Sequence, residues 1–452
     1  MSLHIVILAA GQGSRMKSDL PKVLHKVAGK PMLQHVVDTV SELNADGINI
    51  IVGHGAEQVK KVISGDINWC HQAEQLGTGH AVAQALSSIP EVGTVLILYG
   101  DVPLITQKTL RGMIDTIDDE HIALLTVELD NPKGYGRIIR NFEGNIKAIV
   151  EEKDASEEIR DIHEVNTGIL ALRAEHLHKF IPMLQNNNAQ KEYYLTDVIE
   201  IANKAGKRIV AFHPEFEQEV QGVNNRLQLC ELECWYQGQL AEHLMLDGVT
   251  LYDPNRIDIR GNLSCGKDVE IDVNCIFLGQ VILGDRVKIG PNCILENCSI
   301  GNDSQVNSNS VIEDSIIHER VSVGPFARLR PGTILENNSK VGNFVETKKT
   351  LVGEGSKINH LSYVGDAHLG RNVNVGAGTI TCNYDGVNKF KTELADGVFV
   401  GSNTSLVAPV KVGKEATIGA GSTINKDIEE NQLAVARAKQ KNIDGWQRPS
   451  KK

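Results

Sequence analysis

Along the first half of the chain, short apolar runs alternate with amphipathic stretches. HIVILAA at 4–10, INIIVGH at 48–54 and VLILYGD at 95–101 are strand-like, whereas MLQHVVDTVSEL at 32–43 spaces its apolar residues as a helix does. An unbroken apolar run suits a strand covered on both faces, so the alternation over residues 1–226 predicts a Rossmann-like α/β domain with a mainly parallel sheet. Residues 227–248 then predict a linker helix. They lack proline, carry Leu232, Trp235, Leu240 and Leu244 at helical spacing, and end on Gly248, a stop signal. At 1.5 Å per residue such a helix is about 30 Å long.

Beyond Gly248 the period becomes six. Aliphatic-plus-small steps recur at Ile317, Val323, Leu329, Leu335 and Val341, and again at Val400, Leu406, Val412, Ile418 and Ile424. Neither a helix nor a meander repeats this way. Three six-residue sides per coil predict a left-handed parallel β-helix of hexapeptide repeats over residues 249–433, with about ten coils stacked ~4.8 Å apart. Steps of five, from Thr347 to Val352 and from Val364 to Leu369, predict trimmed corners. CNYDGVNKFKTEL at 382–394 breaks the period and carries the turn signal Asp385-Gly386, which predicts a projecting loop. Residues 434–452 read as a basic tail outside the solenoid, mobile unless a partner pins it.

Composition narrows the function classes. A chain of 452 residues suits two folding units. A net charge of −11 and a pI near 5.8 argue against a nucleic-acid partner or stable association with an anionic membrane. The chain shows no signal-peptide pattern and no span-length apolar run, so a cytoplasmic location is expected. Eight cysteines without a CxxC pair predict buried free thiols, with Cys293 and Cys298 pointing into the solenoid. An aromatic content of 4% fits a narrow prism filled by Val, Ile and Leu.

The first strand runs directly into GQGSRMKSDLPK, placing glycine amides at a sheet edge where phosphates are cradled. The string is neither a Walker A loop nor a full GxGxxG. LAAGxGxRM followed by Pro21-Lys22 resembles the sugar-1-phosphate nucleotidyltransferases, in which Arg15 and Lys22 would face the triphosphate. Asp101 ends the strand-like run VLILYGD, where a carboxylate meets the ligand crevice and suits Mg²⁺. Its alternative reading is a turn cap before Pro103.

QAEQLGTGHA at 72–81, GYGRI at 134–138, IVEEKD at 149–154, EVNTGI at 164–169, GVNNR at 222–226 and NHLSYxGDxxxGxxxNxGAGTxTxNYDG from Asn359 extend the match. Together they resemble the bacterial bifunctional N-acetylglucosamine-1-phosphate uridyltransferase/glucosamine-1-phosphate N-acetyltransferase family over essentially the whole chain. The resemblance implies a homotrimer supplying UDP-N-acetylglucosamine for peptidoglycan and lipopolysaccharide. It implies that acetyl-CoA acetylates glucosamine-1-phosphate, and that UMP then passes from UTP to N-acetylglucosamine-1-phosphate with Mg²⁺.

By that resemblance Leu8, Ala9, Ala10, Gly11, Lys22, Tyr99 and Gly100 line the nucleotide site, and Gln72, Gly77 and Thr78 read uracil. Gly136, Glu151 and Asn166 hold the sugar, and Asp101 with Asn224 the magnesium. In the solenoid, His360 is the implied base, since an imidazole offers a neutral acceptor near neutral pH, with Glu346 orienting or charge-stabilising it. Arg330, Lys348, Tyr363, Asn374 and Lys389 form the implied amino-sugar-phosphate pocket, with Asn383 and Tyr384 near the acetyl group. Ala377, Ser402, Ala420 and Arg437 are the implied acetyl-CoA contacts. The alternative is a single-activity pyrophosphorylase whose solenoid serves only assembly or regulation.

Overall fold

The computed structural model describes residues 2–451, which divide into two compact units that meet between Tyr236 and Gln237. In the first, a seven-strand path runs in the order Arg208–Phe212, His121–Glu128, Glu164–Arg173, Thr94–Tyr99, Leu3–Ala9, Gly47–Val52, Asn68–His71. All neighbours are parallel except Glu164–Arg173, which is antiparallel to both strands beside it. Strand Leu3–Ala9 shows why the apolar run is continuous. Leu3, Ile5 and Ile7 bury on one face of the sheet, and Val6 and Leu8 on the other. Helix Met32–Ser41 covers the first face with Leu33, Val36, Val37 and Val40. Helix Asp197–Lys204 covers the second with Val198, Ile199 and Ala202.

The chain leaves Leu3–Ala9 to build two strands on one side, then crosses to Thr94–Tyr99 on the other. Such a reversal opens a crevice at the carboxyl ends of the two central strands. Gly11 and Asp101 follow those two ends.

Helix Arg226–Leu246 ends as its sequence requires. Gly248 takes φ +94°, and the Val249 amide bonds the Leu244 carbonyl at 2.9 Å, closing the last turn.

The second unit is a parallel solenoid. One sheet stacks eleven strands from Thr250–Leu251 to Leu433–Ala434, and a fourteen-strand sheet supplies the other sides through strands that bend at corners, such as Tyr363–Leu369. Val341, Ile358 and Val375 stack in register, seventeen residues per coil, with a five-residue side between Thr347 and Val352 as the trimmed steps require. All five are buried. Corners take left-handed backbone, and Asn274, Asn292, Asn309, Asn338, Asn372, Asn403 and Asn431 occupy it with positive φ.

Two expectations need correction. The solenoid continues past 433: Ala434 belongs to the last strand, and the Ala436 carbonyl accepts from the Thr423 amide at 3.0 Å. Cys70, Cys275, Cys293 and Cys298 are buried and burial pushes their thiols up, but Cys230, Cys234 and Cys382 are exposed. No described helix is long and apolar enough to cross a membrane.

Candidate functional site

At the crevice, a cavity of about 350 Å³ is lined by Leu8, Ala9, Ala10, Gly11, Lys22, Gln72, Gly77, Thr78, Tyr99, Asp101 and Asn224. Eleven of the expected residues therefore meet, although the chain separates the outermost, Leu8 and Asn224, by more than two hundred positions. The glycine-rich turn is built for close approach. Gly13 has φ +63°, and a Cβ there would lie 2.6 Å from the Lys22 Cβ. Lys22 pairs with Asp101 and also reaches Asn224 Oδ1 at 3.3 Å. Arg15 Nη2 donates to the same oxygen at 2.8 Å. The Asn224 amide in turn donates to Gln228 Oε1 at 2.8 Å, and the Val223 amide to the Asp101 carbonyl at 3.0 Å.

The chemistry of this donor set bears on a metal. Asp101 and Asn224 turn their oxygens toward one cationic position, shared with the Lys22 ammonium. A hard divalent ion asks for such oxygens, with phosphates and water completing its shell. No described cluster of three acidic, His or Cys ligands exists to hold an ion without substrate.

Gln72 donates to the Gly77 carbonyl at 3.2 Å and lies 3.0 Å from His80 Nδ1, which fixes its amide. The turn at Gly77 is clamped from outside: the Gly79 amide donates to the Tyr193 carbonyl at 2.8 Å, and the Leu195 amide to Thr78 Oγ1 at 3.0 Å. Glu192 and Gln75 also line the cavity. The sequence assigned neither a role: Gln75 lies unassigned within QAEQLGTGHA, and Glu192 arrives from a loop with no motif of its own.

Gly136, Glu151 and Asn166 form a neighbouring cluster. The Asn166 amide donates to the Gly136 carbonyl at 2.9 Å, and a Cβ on Gly136 would stand 3.5 Å from the Glu151 carboxylate. Burial raises the Glu151 pKa, a hydrogen bond from Thr196 at 3.0 Å opposes it, and the charges of Asp197, Asp154 and Glu192 add to the rise. Tyr99 joins the two groups, its hydroxyl pushed up by burial and then by Glu151 and Asp101. Gly100 lies beneath, against Leu33.

In the solenoid, His360 sits at a corner, and its Nδ1 donates to Asn343 Oδ1 at 2.6 Å. Asn343 occupies the same position one coil earlier. Glu346 does not orient the imidazole: it accepts from Arg330 Nη1 at 2.8 Å. Asn343 is thus the partner the sequence reading missed, although a spacing of one seventeen-residue coil could have found it. The corner ladder continues as the Gly378 amide donates to the His360 carbonyl, Asn403 to Ala377 and Gly421 to Ser402. His360, Ala377 and Ser402 therefore stand in one column, and the column continues to Ala420, whose carbonyl accepts from Arg437 Nη1 at 2.7 Å.

Lys348, Lys389 and Arg330 stand together, and the neighbouring cations, Lys389 first, hold the Lys348 ammonium below its usual range. The period-breaking segment is a hairpin in which Tyr384 bridges Lys389, and the Asp385 carboxylate, accepting the amides of Asn388 and Val387, caps its turn. Asn383 donates to Asp366 Oδ2 at 2.5 Å. Tyr363 pairs with Glu346 in register, and Asn374 with Lys357 on the adjoining face.

A nucleotide crevice at a sheet switch point, joined to a hexapeptide solenoid with an imidazole and a cationic cluster, defines a two-domain transferase. Family models agree: a MobA-like NTP transferase domain matches residues 5–156, a GMPPB C-terminal domain 259–343, and six bacterial transferase hexapeptide repeats 391–426. The chain is 62% identical over 450 residues to bifunctional protein GlmU of Marinobacter nauticus, covering 99% of each. It is 57% identical to that of Cellvibrio japonicus over 100% of both chains. Among solved structures, a UDP-glucose pyrophosphorylase complexed with UDP-glucose aligns over 53% of this chain and 100% of its own, at 18% identity and a TM-score of 0.43.

The chain belongs to the bifunctional GlmU family, and its solenoid is of the left-handed hexapeptide type. It is a uridyltransferase and a glucosamine-1-phosphate acetyltransferase, with a divalent metal, a nucleotide and acetyl-CoA entering the chemistry. The solenoid is accordingly more than an assembly module.

Proposed function

We propose that the solenoid acetylates glucosamine-1-phosphate first, and that the crevice then uridylylates N-acetylglucosamine-1-phosphate from UTP with Mg²⁺. The observation that carries the reading is the convergence of Arg15, Lys22, Asp101 and Asn224 in one unit, beside the His360–Asn343 pair and the separate grouping of Arg330, Lys348 and Lys389 in the other.

In the crevice, Gln72, Gly77 and Thr78 hold the uracil edge, and Gly136, Glu151 and Asn166 the sugar hydroxyls. A phosphate oxygen of the sugar phosphate attacks the α-phosphorus in line and pyrophosphate leaves. Arg15 and Lys22 neutralise the charge gathered on the phosphates. Asp101 and Asn224 would hold the Mg²⁺, which when bound supplies further charge neutralisation.

At the solenoid corner, the bond from Nδ1 to Asn343 selects the tautomer with a free Nε2 lone pair. Nε2 takes one proton of the sugar ammonium, the freed amine attacks the thioester carbonyl, and as the tetrahedral species collapses the carbon–sulfur bond breaks and CoA leaves as the thiol, carrying the second amine proton. The three cations hold the sugar phosphate, and Tyr363 and Asn374 bound the pocket. Asn383 and Tyr384 close over the acetyl group. Ala377, Ser402 and Ala420 let the pantetheine lie along the corner column, and Arg437 meets the CoA phosphates.

The working unit is a homotrimer in the cytoplasm. Phe326, Phe344 and Leu361, left-handed corner residues beside the His360 column, are exposed to 50, 55 and 62%. The two Phe rings stack at 5.1 Å. Bulky residues are rare in that backbone state, and an apolar corner suits a second copy of the solenoid. An assay with glucosamine-1-phosphate, acetyl-CoA, UTP and Mg²⁺, omitting one component at a time, tests both steps. Pyrophosphate release that does not need prior acetylation would overturn the order, and a monomer by sedimentation would overturn the assembly.

A further inference from the structure

One charged residue of the GYGRI segment has no part in either proposed chemistry. Arg137 opens the strand Arg137–Arg140, which runs antiparallel to Ile146–Val150 and sets Arg137 opposite Val150. Its side chain is only 2% exposed and is among the largest fully buried ones. A guanidinium keeps its charge, so burial obliges the fold to supply acceptors for a fixed fork of donors.

Four contacts meet that need, and they reach three different segments. Arg137 Nη1 donates to the Tyr135 carbonyl. Nε and Nη2 donate to the Arg160 carbonyl at 3.3 and 3.2 Å, where the short helix Glu157–Arg160 ends and its last carbonyls need outside donors. Nη2 also pairs with the Glu152 carboxylate at 2.8 Å. Arg160 Nη2 in turn donates to the Glu152 carbonyl at 3.4 Å, which closes the ring of contacts. Tyr135 and Glu152 are the chain neighbours of Gly136 and Glu151, so one side chain fixes the backbone beside both proposed sugar contacts. In the trans peptide between Tyr135 and Gly136 the carbonyl and the N–H point opposite ways, and drawing that carbonyl to the guanidinium also sets the direction of the Gly136 N–H.

A buried ion pair is a poor source of stability, and an apolar side chain of similar volume would fill the space at lower cost. What the fork supplies is direction, at two turns that no helix or strand holds. We propose that Arg137 is a positioning residue for uridylyl transfer: through the Tyr135 carbonyl and the Glu152 carboxylate it holds Gly136 and Glu151 in place for the sugar of N-acetylglucosamine-1-phosphate. The inference rests on the sugar role proposed for those two residues.

Steady-state uridylyl transfer by the full-length protein, with N-acetylglucosamine-1-phosphate and UTP varied separately, tests the role. Arg137→Lys keeps a charge beside Glu152 but cannot span both carbonyls. It should raise the sugar-phosphate KM roughly tenfold, while the KM for UTP and the rate of acetyl transfer stay at wild-type values. Glu152→Gln, which keeps an acceptor oxygen, should raise the same KM about threefold. A residue needed only for stability would instead lower kcat with the folded fraction and leave every KM in place. That result in Arg137→Lys, or in Glu152→Gln should the first variant not fold, would overturn the proposal. Glu151→Ala separates the inference from the reading beneath it. If Glu151→Ala raises the sugar-phosphate KM and Arg137→Lys does not, the positioning role falls and the sugar site stands; if neither raises it, both fall.

Discussion

The two units assemble their sites by opposite routes. In the α/β unit, Arg15, Lys22, Asp101 and Asn224 converge from loops that a crossover topology brings together at one sheet edge, and each depends on the whole sheet for its place. In the solenoid, a residue's working neighbours lie one coil away, as with Asn343 and His360 or Arg330 and Glu346. Damage to the sheet should therefore spread, whereas damage to a coil should stay near it, because solenoid stability is a sum of nearest-neighbour terms.

The largest expected effect is His360→Ala. Acetyl transfer should fall about 10²- to 10⁴-fold, the usual worth of a positioned base, with uridylyl transfer unchanged in the same preparation. Asp101→Ala should do the reverse, lowering pyrophosphate release about 10²- to 10³-fold while thioester cleavage continues. Loss of both activities in either folded variant would break the comparison.

Ile358→Ala, in the solenoid core, should cost about 2–5 kcal/mol. By calorimetry that loss should appear in one thermal transition only, with UTP binding retained. A loss shared by both transitions would show that the units do not melt separately.

Asn343→Ala should reduce acetylation roughly tenfold through kcat rather than KM, because the tautomer is no longer selected. A smaller effect belongs to Glu151. Its pKa is raised on folding, so its contribution is fully present below the unfolded value near 4.5 and is lost as pH rises through the folded value. Glu151→Gln should thus match the wild type in denaturant midpoint at acid pH and exceed it near neutrality. An advantage confined to acid pH would contradict the burial argument.

Much of this was legible in sequence, for physical reasons. The six- and five-residue steps were readable because each inward side chain must be small enough for the prism, and Val341, Thr347, Val352 and Ile358 leave no choice of face. The glycine-rich turn was readable because its backbone needs are local. What stayed hidden was long-range. Nothing local marks Glu164–Arg173 as the antiparallel strand, or brings Glu192 to the crevice. The pairing of Glu346 with Arg330 instead of His360 is a choice between two nearby partners that only side-chain placement decides. Phe326 and Phe344 were hidden too, since left-handed corner backbone favours Gly or Asn.

The coil register also constrains how such a chain can change over generations. From Val375 to Val400 one coil spans twenty-five residues where its neighbours use seventeen or eighteen, and the excess leaves the stack as the hairpin at Tyr384. A single-residue deletion elsewhere would turn inward side chains outward from that point until a corner absorbed it. Gains and losses of length that survive should therefore fall in that hairpin or come as whole coils, and relatives of unequal length should differ in those two ways.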